Sequence, residues 1–375
     1  MSSKIKIQAA FNTLTFESQV HIGSSVVLEL QEALLKSKST TIVVLVDENV
    51  KDKASNLYQS ILGNISKKKI ELVVSAGETS KNFSLLEKFS EQMLDAQVTR
   101  GDTLIAIGGG VVGDLGGLLA SLYMRGINLI HVPTTIVAQV DSAIGGKTAV
   151  NLKGGKNMLG TFYPAKDIYC DLDFLSTLPD KEFKAGMAEV IKYGLIYSEE
   201  FFEHLKRDVS KIISKDNKVL SDIISFSVNA KLHFVMGDLE DKTGQRALLN
   251  FGHTIGHAIE KLTAYTEYLH GEAISIGMVF ALEFGSSLGL TDKNSLVKTK
   301  KLLSDFGLPV EIPNSLLRSG NLEDVKKSWF DALLADKKRE SSKVNFVFVD
   351  QIGSSKTKEV EVSQLVDFIF DKYTS

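Results

Sequence analysis

The sequence predicts an α/β half built on a parallel sheet, followed by a mostly α-helical half. Three observations carry this expectation. Short β-branched runs alternate with helix-period stretches through the first half of the chain. After Asp173 the texture changes to long tracts with apolar residues at helical spacing. The 375 residues are 43% apolar and 24% charged, close to a globular average, and suffice for two domains with cores of their own.

Residues 4–21 alternate loosely and read as an edge hairpin. Residues 41–46 (TIVVLV), 69–74 (KIELVV), 103–107 (TLIAI) and 127–132 (INLIHV) read as buried parallel strands. Residues 58–62, 84–96 and 113–124 read as the helices between them. Residues 182–197, 199–213, 219–235, 247–262, 271–288 and 294–306 read as six further helices. A late strand at 343–349 and a closing helix at 362–373 complete the chain, and the boundary between halves falls near residue 178.

The 43 basic and 46 acidic side chains nearly cancel, which argues against a nucleic-acid partner or an anionic membrane. Cys170 is the single cysteine, so an intrachain disulfide framework is excluded and a reducing, cytoplasmic address is expected. The apolar run 273–282 stops at Glu283 and has the length of a core helix, so no membrane span is expected. From the first ten residues neither a secretory nor a transit leader is expected.

Four groups of residues point to chemistry. The run Gly108 to Gly117 (GGGVVGDLGG) follows a strand and opens a helix, so its free N–H groups suit a phosphate. It contains GxGxxG, yet INLIHV runs into Pro133-Thr134-Thr135 instead of ending on the acidic residue of an ordinary dinucleotide fingerprint. The plain alternative is a tight βα turn with close helix packing. Asp47 ends a strand, where it suits either ribose hydroxyls or a helix cap.

Lys147 and Lys156 lie in two glycine-rich loops, where lysines reach a phosphate without crowding. His253, His257 and His270 are three of only seven histidines, and the first two stand one helical turn apart. Thr254 replaces the glutamate of HExxH, so a zinc-protease reading fails. Two imidazoles and one carboxylate would hold a catalytic cation, and Glu189 is a carboxylate among apolar neighbours. Arg246 and Asn250 precede His253 at helical spacing, giving one polar helical face that is costly to bury without a ligand.

GGGVVGDLGG, VPTT, QVDSAIGGKTAVN, GKNMLGTFYP, DLDFLSTLP, GMAEVIKYG, RALLNFGHTIGHAIE and LHGEA together resemble the 3-dehydroquinate synthase family of sugar phosphate cyclases, over roughly residues 76–350. The resemblance implies a Rossmann-like NAD-binding domain over 1–178 and a metal- and substrate-binding domain over 179–375, with the active site in the cleft between them. It implies conversion of 3-deoxy-D-arabino-heptulosonate 7-phosphate into 3-dehydroquinate and phosphate. NAD+ would be reduced and reoxidised within one turnover, beside one divalent Zn2+ or Co2+.

The implied metal ligands are Glu189, His253 and His270. The implied NAD+ contacts are Asp47, Gly77, Glu78, Lys81, Gly110, Val111, Val112, Gly113, Asp114, Thr134, Thr135, Phe174, Leu175, Ser176 and Thr177, with Lys147 and Lys156 close by. The implied substrate contacts are Asp141, Lys147, Lys156, Asn157, Lys192, Lys231, Arg246, Asn250 and His257. Arg125 matches an arginine that reaches the neighbouring subunit, which implies a homodimer. One of Lys337 and Lys338 matches a lysine near the substrate's anionic groups.

Two positions depart from the family pattern. Leu239 stands where glutamate is usual in the approach to Arg246, which is one residue longer, and Ala143 stands where serine is commoner. Sister cyclases such as 2-deoxy-scyllo-inosose synthase share the machinery but differ around residues 246–250. Lys147 and Lys156 beside Arg246 favour a dianionic, phosphorylated substrate over that of an iron-dependent polyol dehydrogenase.

Overall fold

The computed structural model describes residues 3–11, 14–236, 238, 244–318, 320–334 and 342–373. The chain forms two compact units, Met1–Pro179 with Lys215–Leu232, and Asp180–Ser214 with His233–Ser375. Where the sequence reading has a single cut near 178, residues 215–232 return to the first unit.

The first unit holds a seven-stranded sheet. Its strands are β1 (Ser3–Phe11), β2 (Leu14–Gly23), β3 (Thr41–Asp47), β4 (Lys68–Val74), β5 (Thr103–Gly108), β6 (Asn128–Pro133) and β9 (Asp167–Asp171). Their order is β1-β2-β9-β6-β5-β3-β4. Only β1 runs antiparallel, as an edge hairpin with β2. β3 and β5 are the most deeply buried strands, which is why they read as unbroken apolar runs. Strand order reverses between β3 and β5, and such a switch point opens a crevice at the carboxyl ends of the strands.

Helices α1 (Val27–Lys36), α2 (Glu48–Lys53), α3 (Ser55–Leu62), α4 (Phe83–Asp95) and α5 (Gly110–Leu122) flank the sheet, and α6 (Asp173–Thr177) follows β9. Leu30, Leu34, Tyr58 and Ile61 pack with Val44, Val46, Ile105 and Ile107 in one core. The lysine-bearing stretches expected as loops are instead an antiparallel hairpin, β7 (Lys147–Leu152) and β8 (Gly155–Phe162). Its Thr148 packs so closely on α5 that a Cβ at Gly117 would lie 2.3 Å from the threonine methyl. Part of the glycine run thus serves helix packing.

The second unit contains α7 (Asp180–Tyr197), α8 (Glu199–Arg207), α9 (Val209–Ile213), α11 (His253–Leu262), α12 (His270–Ser287), α13 (Lys293–Asp305), α14 (Leu322–Leu334) and α15 (Val362–Tyr373). A hairpin of β10 (Lys343–Gln351) and β11 (Ser354–Glu361) completes it. Helix α10 (Asn217–Met236) belongs to the first unit as far as Leu232.

Two expected helices are broken. The one over 199–213 divides at Asp208, whose carboxylate gathers Arg207 and Lys211. The one over 247–262 divides into a 3-10 turn, Arg246–Asn250, and α11, because Gly252 takes φ +81° between them. The continuous face of Arg246, Asn250, His253 and His257 therefore does not exist.

Candidate active site

In the first unit the glycine turn between β5 and α5 occupies the switch point. Thr134 donates its N–H to the carbonyl of Gly108, tying the ends of β5 and β6. A Cβ at Gly108 would touch Asp47 at 3.2 Å, one at Gly109 would touch Thr135 at 3.3 Å, and one at Gly110 would touch Ser142 at 3.2 Å. Asp47, Thr134, Thr135 and the π-helical turn Ala138–Ser142 thus converge on the start of α5. Asp47 also caps α2 through Asn49 N–H at 2.8 Å, so the cap reading of the sequence holds.

Buried Lys81 ion-pairs with Asp114 in the early turns of α5 and donates to Asn157 of β8. Burial pushes the Asp114 carboxyl up to about 6, against the opposing pull of Lys81. Lys231 of α10 donates to Asp141 at 2.6 Å. Lys147 opens β7 and Lys156 lies near the start of β8. Gly77 precedes the short turn Glu78–Ser80. Val111, Val112 and Gly113 form the first turn of α5, where Val112 is buried in the core. Phe174 and Leu175 are also buried, while Ser176 and Thr177 stay at the surface. Arg125 is exposed with a left-handed backbone, φ +67°.

The second unit brings Glu189, His253 and His270 together from three helices, with one ligand atom of each within 4.8 Å of the others. Glu189 comes from the middle of α7, and each histidine is the first residue of its helix. His253 Nε2 lies 3.5 Å and His270 Nε2 3.6 Å from Glu189 Oε1. Close backbone approach permits this: a Cβ at Gly277 of α12 would lie 2.0 Å from the Gly252 carbonyl oxygen.

The geometry aims the Nε2 atom of each ring at Glu189. His253 Nδ1 is 3.1 Å from the carbonyl oxygen of Phe251, which only accepts, so Nδ1 carries the hydrogen and Nε2 faces Glu189. His270 Nδ1 lies 3.3 Å from Glu260 Oε1, the outer-carboxylate arrangement common behind metal-ligating histidines. Burial and the Lys192 charge press His253 down to about 3, so it stays neutral. Burial opposes a charge on His270, but the Glu189 and Glu260 carboxylates outweigh it and push it up to about 10, so without a cation the ring holds a second proton that a bound cation would displace. Burial likewise opposes ionisation of Glu189, yet Lys192 and the imidazoles hold it well below the usual carboxylate range.

Both Glu189 oxygens are buried without a hydrogen bond, although Lys192 ion-pairs with one. A buried carboxylate in that state, beside two inward-facing imidazoles, is the donor set a zinc-like cation takes. A second group, His257, Glu260 and His270, shares His270, but its Glu260 oxygen already serves His270 Nδ1. The His257 ring is centred 5.2 Å from that of His253. Arg246 is buried in this unit and Asn250 is exposed. Lys337, Lys338 and the departure at Leu239 lie outside the described residues.

A parallel sheet with a glycine turn at its switch point, and a carboxylate–imidazole cation site in the same chain, define a metal-dependent enzyme on a nucleotide-binding fold. A family model described as 3-dehydroquinate synthase N-terminal matches residues 71–185, and one described as 3-dehydroquinate synthase C-terminal matches residues 186–339. The chain belongs to the 3-dehydroquinate synthase family.

A 3-dehydroquinate synthase of Thermodesulfovibrio yellowstonii is 45% identical over 308 residues, covering 81% of this chain and 83% of that one. One of Prochlorococcus marinus (strain MIT 9215) is 39% identical over 361 residues, covering 94% and 95%. The solved structure of 2-deoxy-scyllo-inosose synthase with carbaglucose-6-phosphate, NAD+ and Co2+ matches with a TM-score of 0.83 at 26% identity, covering 98% of this chain and 99% of that one.

Two features escaped the sequence reading. Asn151, near the end of β7, bonds both Glu78 and Asn157. Glu260 holds His270, and its three-residue spacing from His257 was the available signal.

Proposed function

We propose that this chain converts 3-deoxy-D-arabino-heptulosonate 7-phosphate into 3-dehydroquinate and phosphate. The observation that carries this reading is the convergence of Glu189, His253 and His270 in a chain whose two halves both match that family. NAD+ is assigned to the switch point, at Asp47, the Gly77 to Lys81 turn, Gly110 to Asp114 and Thr134. Zn2+ or Co2+ is assigned to the triad. When bound, NAD+ takes and returns one hydride, and the cation polarises a carbinol oxygen and holds neighbouring hydroxyls.

The side chains supply charge and orientation. Arg246, Lys192, Lys147, Lys156 and Lys231 offer cations to a substrate with a carboxylate and a phosphate, and arginine suits the planar carboxylate. Asp141 fixes the Lys231 ammonium. His257 and Asn250 are assigned to the substrate's polar groups. The C–H beside a transient ketone is acidic; it gives its proton to the substrate's own phosphate, and the phosphate leaves by β-elimination with the C–O electron pair and that proton. Reduction of the ketone, ring opening and aldol closure follow, so no net oxidation occurs and one NAD+ serves many turnovers.

The assembly proposed is a homodimer with Arg125 at the interface. Exposed Met124 beside it, and exposed Met158 and Phe162 on the β8 strand, support an apolar contact with a second copy. A cytoplasmic, non-membrane setting is proposed from the buried, unpaired Cys170 and the neutral charge balance. Helix α10 is long and apolar enough to cross a membrane, but its Lys231–Asp141 ion pair suits a core helix.

The test is phosphate release from the heptulosonate phosphate with sub-stoichiometric NAD+ and zinc, before and after chelation. Turnover far beyond the NAD+ added, lost on chelation, is expected. Release only from sedoheptulose 7-phosphate or glucose 6-phosphate would make the chain a sister cyclase. NADH accumulation with a simple polyol would make it a dehydrogenase.

A further inference from the structure

Asn151 holds two functional segments of the first unit together. Its Nδ2 donates to Glu78 Oε1 at 2.8 Å, and its Oδ1 accepts the Asn157 N–H at 2.9 Å. Its own N–H donates to the carbonyl of Lys81 at 2.8 Å. Asn82 and Asn151 also form a parallel bridge, which joins the turn after β4 to the β7–β8 hairpin. Lys81 closes the ring by donating to the Asn157 side chain while paired with Asp114 of α5.

A carboxamide is the side chain this position requires. One face must donate to a carboxylate and the other must accept from a backbone N–H. Aspartate would lose the donor and set a second anion against Glu78. Alanine would leave both neighbours without these bonds. Asn157 sits at φ +56°, a left-handed conformation that costs on the order of 1 kcal/mol or more unless its surroundings hold it. The Asn151 and Lys81 bonds supply that hold.

We propose that Asn151 is a positioning residue that couples the two ligands: with NAD+ bound at the Gly77 to Lys81 turn, the hairpin bearing Lys156 and Asn157 is ordered for the phosphorylated substrate, and the substrate side tightens NAD+ in return. This rests on the assignment above of Glu78 and Lys81 to NAD+ and of Lys156 and Asn157 to substrate. A ligand that orders the shared ring spares the second ligand that ordering, and the effect is reciprocal by linkage.

The experiment titrates NAD+ into the zinc-loaded full chain by calorimetry, alone and with saturating 3-dehydroquinate plus inorganic phosphate, the two products that together present the substrate's carboxylate and phosphate to the site. In the parent protein the products should tighten NAD+ by about tenfold, within the usual range of coupling between sites. In Asn151→Ala the factor should fall below about twofold, read as the ratio of NAD+ affinities with and without the products in the same variant. The double variant Asn151→Asp with Glu78→Gln reverses the donor and acceptor and should recover the coupling relative to Glu78→Gln alone. A merely structural role would not produce that recovery, and the pair stands in if Asn151→Ala does not fold. Undiminished coupling in Asn151→Ala, or none in the parent protein, would overturn the inference. Absence of phosphate release from the heptulosonate phosphate by the parent protein would instead overturn the function on which it rests.

Discussion

Replacing Gly271 by alanine tests how the cation site is assembled. A Cβ there would lie 1.8 Å from the carbonyl oxygen of Ala185 and 2.5 Å from its carbon. Heavy atoms rest at roughly 3.5 Å, so α12 would have to move away from α7 by more than an ångström. The obstacle is backbone, so no side chain can rotate aside. Alanine gains about 1 kcal/mol over glycine in a helix interior, but overpacking costs about 1–3 kcal/mol and more against a rigid wall. We expect a net loss of about 3 kcal/mol, a fall of about 6–12 °C in the melting temperature of the affected unit. His270 is the neighbouring residue and Glu189 lies one turn beyond Ala185 on α7. Metal–ligand distances tolerate only about 0.2 Å, so zinc affinity should fall at least about tenfold. Thermal melts and zinc titration read both effects. Gly154→Ala, with no atom within 4 Å, is the control and should stay within about 0.5 kcal/mol. Parent-like melting and zinc binding in Gly271→Ala would refute the close-approach argument.

His270→Ala should lose the cation and activity while circular dichroism shows the fold intact, because two ligands hold zinc weakly. One tightly bound zinc per chain in that variant would remove His270 from the ligand set. Lys156→Ala should raise the substrate KM far more than the Kd for NAD+, and equal losses would place Lys156 at the cofactor instead. Burial drives the pKa of His131 down to about 4 and leaves its Nδ1 without a hydrogen bond. It is thus neutral when folded and protonated when unfolded below about 6.5. Its contribution is fully present above that pH and is lost as pH falls toward 4, by up to about 3 kcal/mol. Urea midpoints of His131→Leu should therefore fall less steeply over that window, and an unchanged slope would count against a buried neutral imidazole.

The parallel sheet was legible because β3 and β5 are covered on both faces and so had to be written as apolar runs. β7 and β8 were not. Their glycines and exposed Met158 and Leu159 break the alternation that marks a half-buried strand. What makes them strands is pairing, including a Thr148–Thr161 hydroxyl contact of 2.9 Å, and packing on α5. β11 is mostly polar and exposed and is defined by its backbone ladder to β10. For the cation site, spacing within 253–270 exposed the histidines, but nothing local ties them to a carboxylate 64 residues earlier. Motif resemblance selected Glu189, and only the packing of α7, α11 and α12 shows why it can reach.

The misread helix over 247–262 shows where function prevailed over periodicity. In one continuous helix the Phe251 carbonyl would accept the N–H of Ile255, four residues on. The break at Gly252 makes that glycine the first acceptor of α11, bonded to Gly256 N–H at 3.0 Å. Phe251 is thereby left outside the ladder, and its carbonyl takes the proton-bearing Nδ1 of His253. The same left-handed residue lets its carbonyl approach Gly277 on α12. One conformational choice therefore fixes the tautomer of one imidazole and helps set the spacing to the helix that carries the other. An apolar pattern at period 3.6 cannot reveal this, because Leu249, Phe251, Ile255 and Ile259 remain buried across the break.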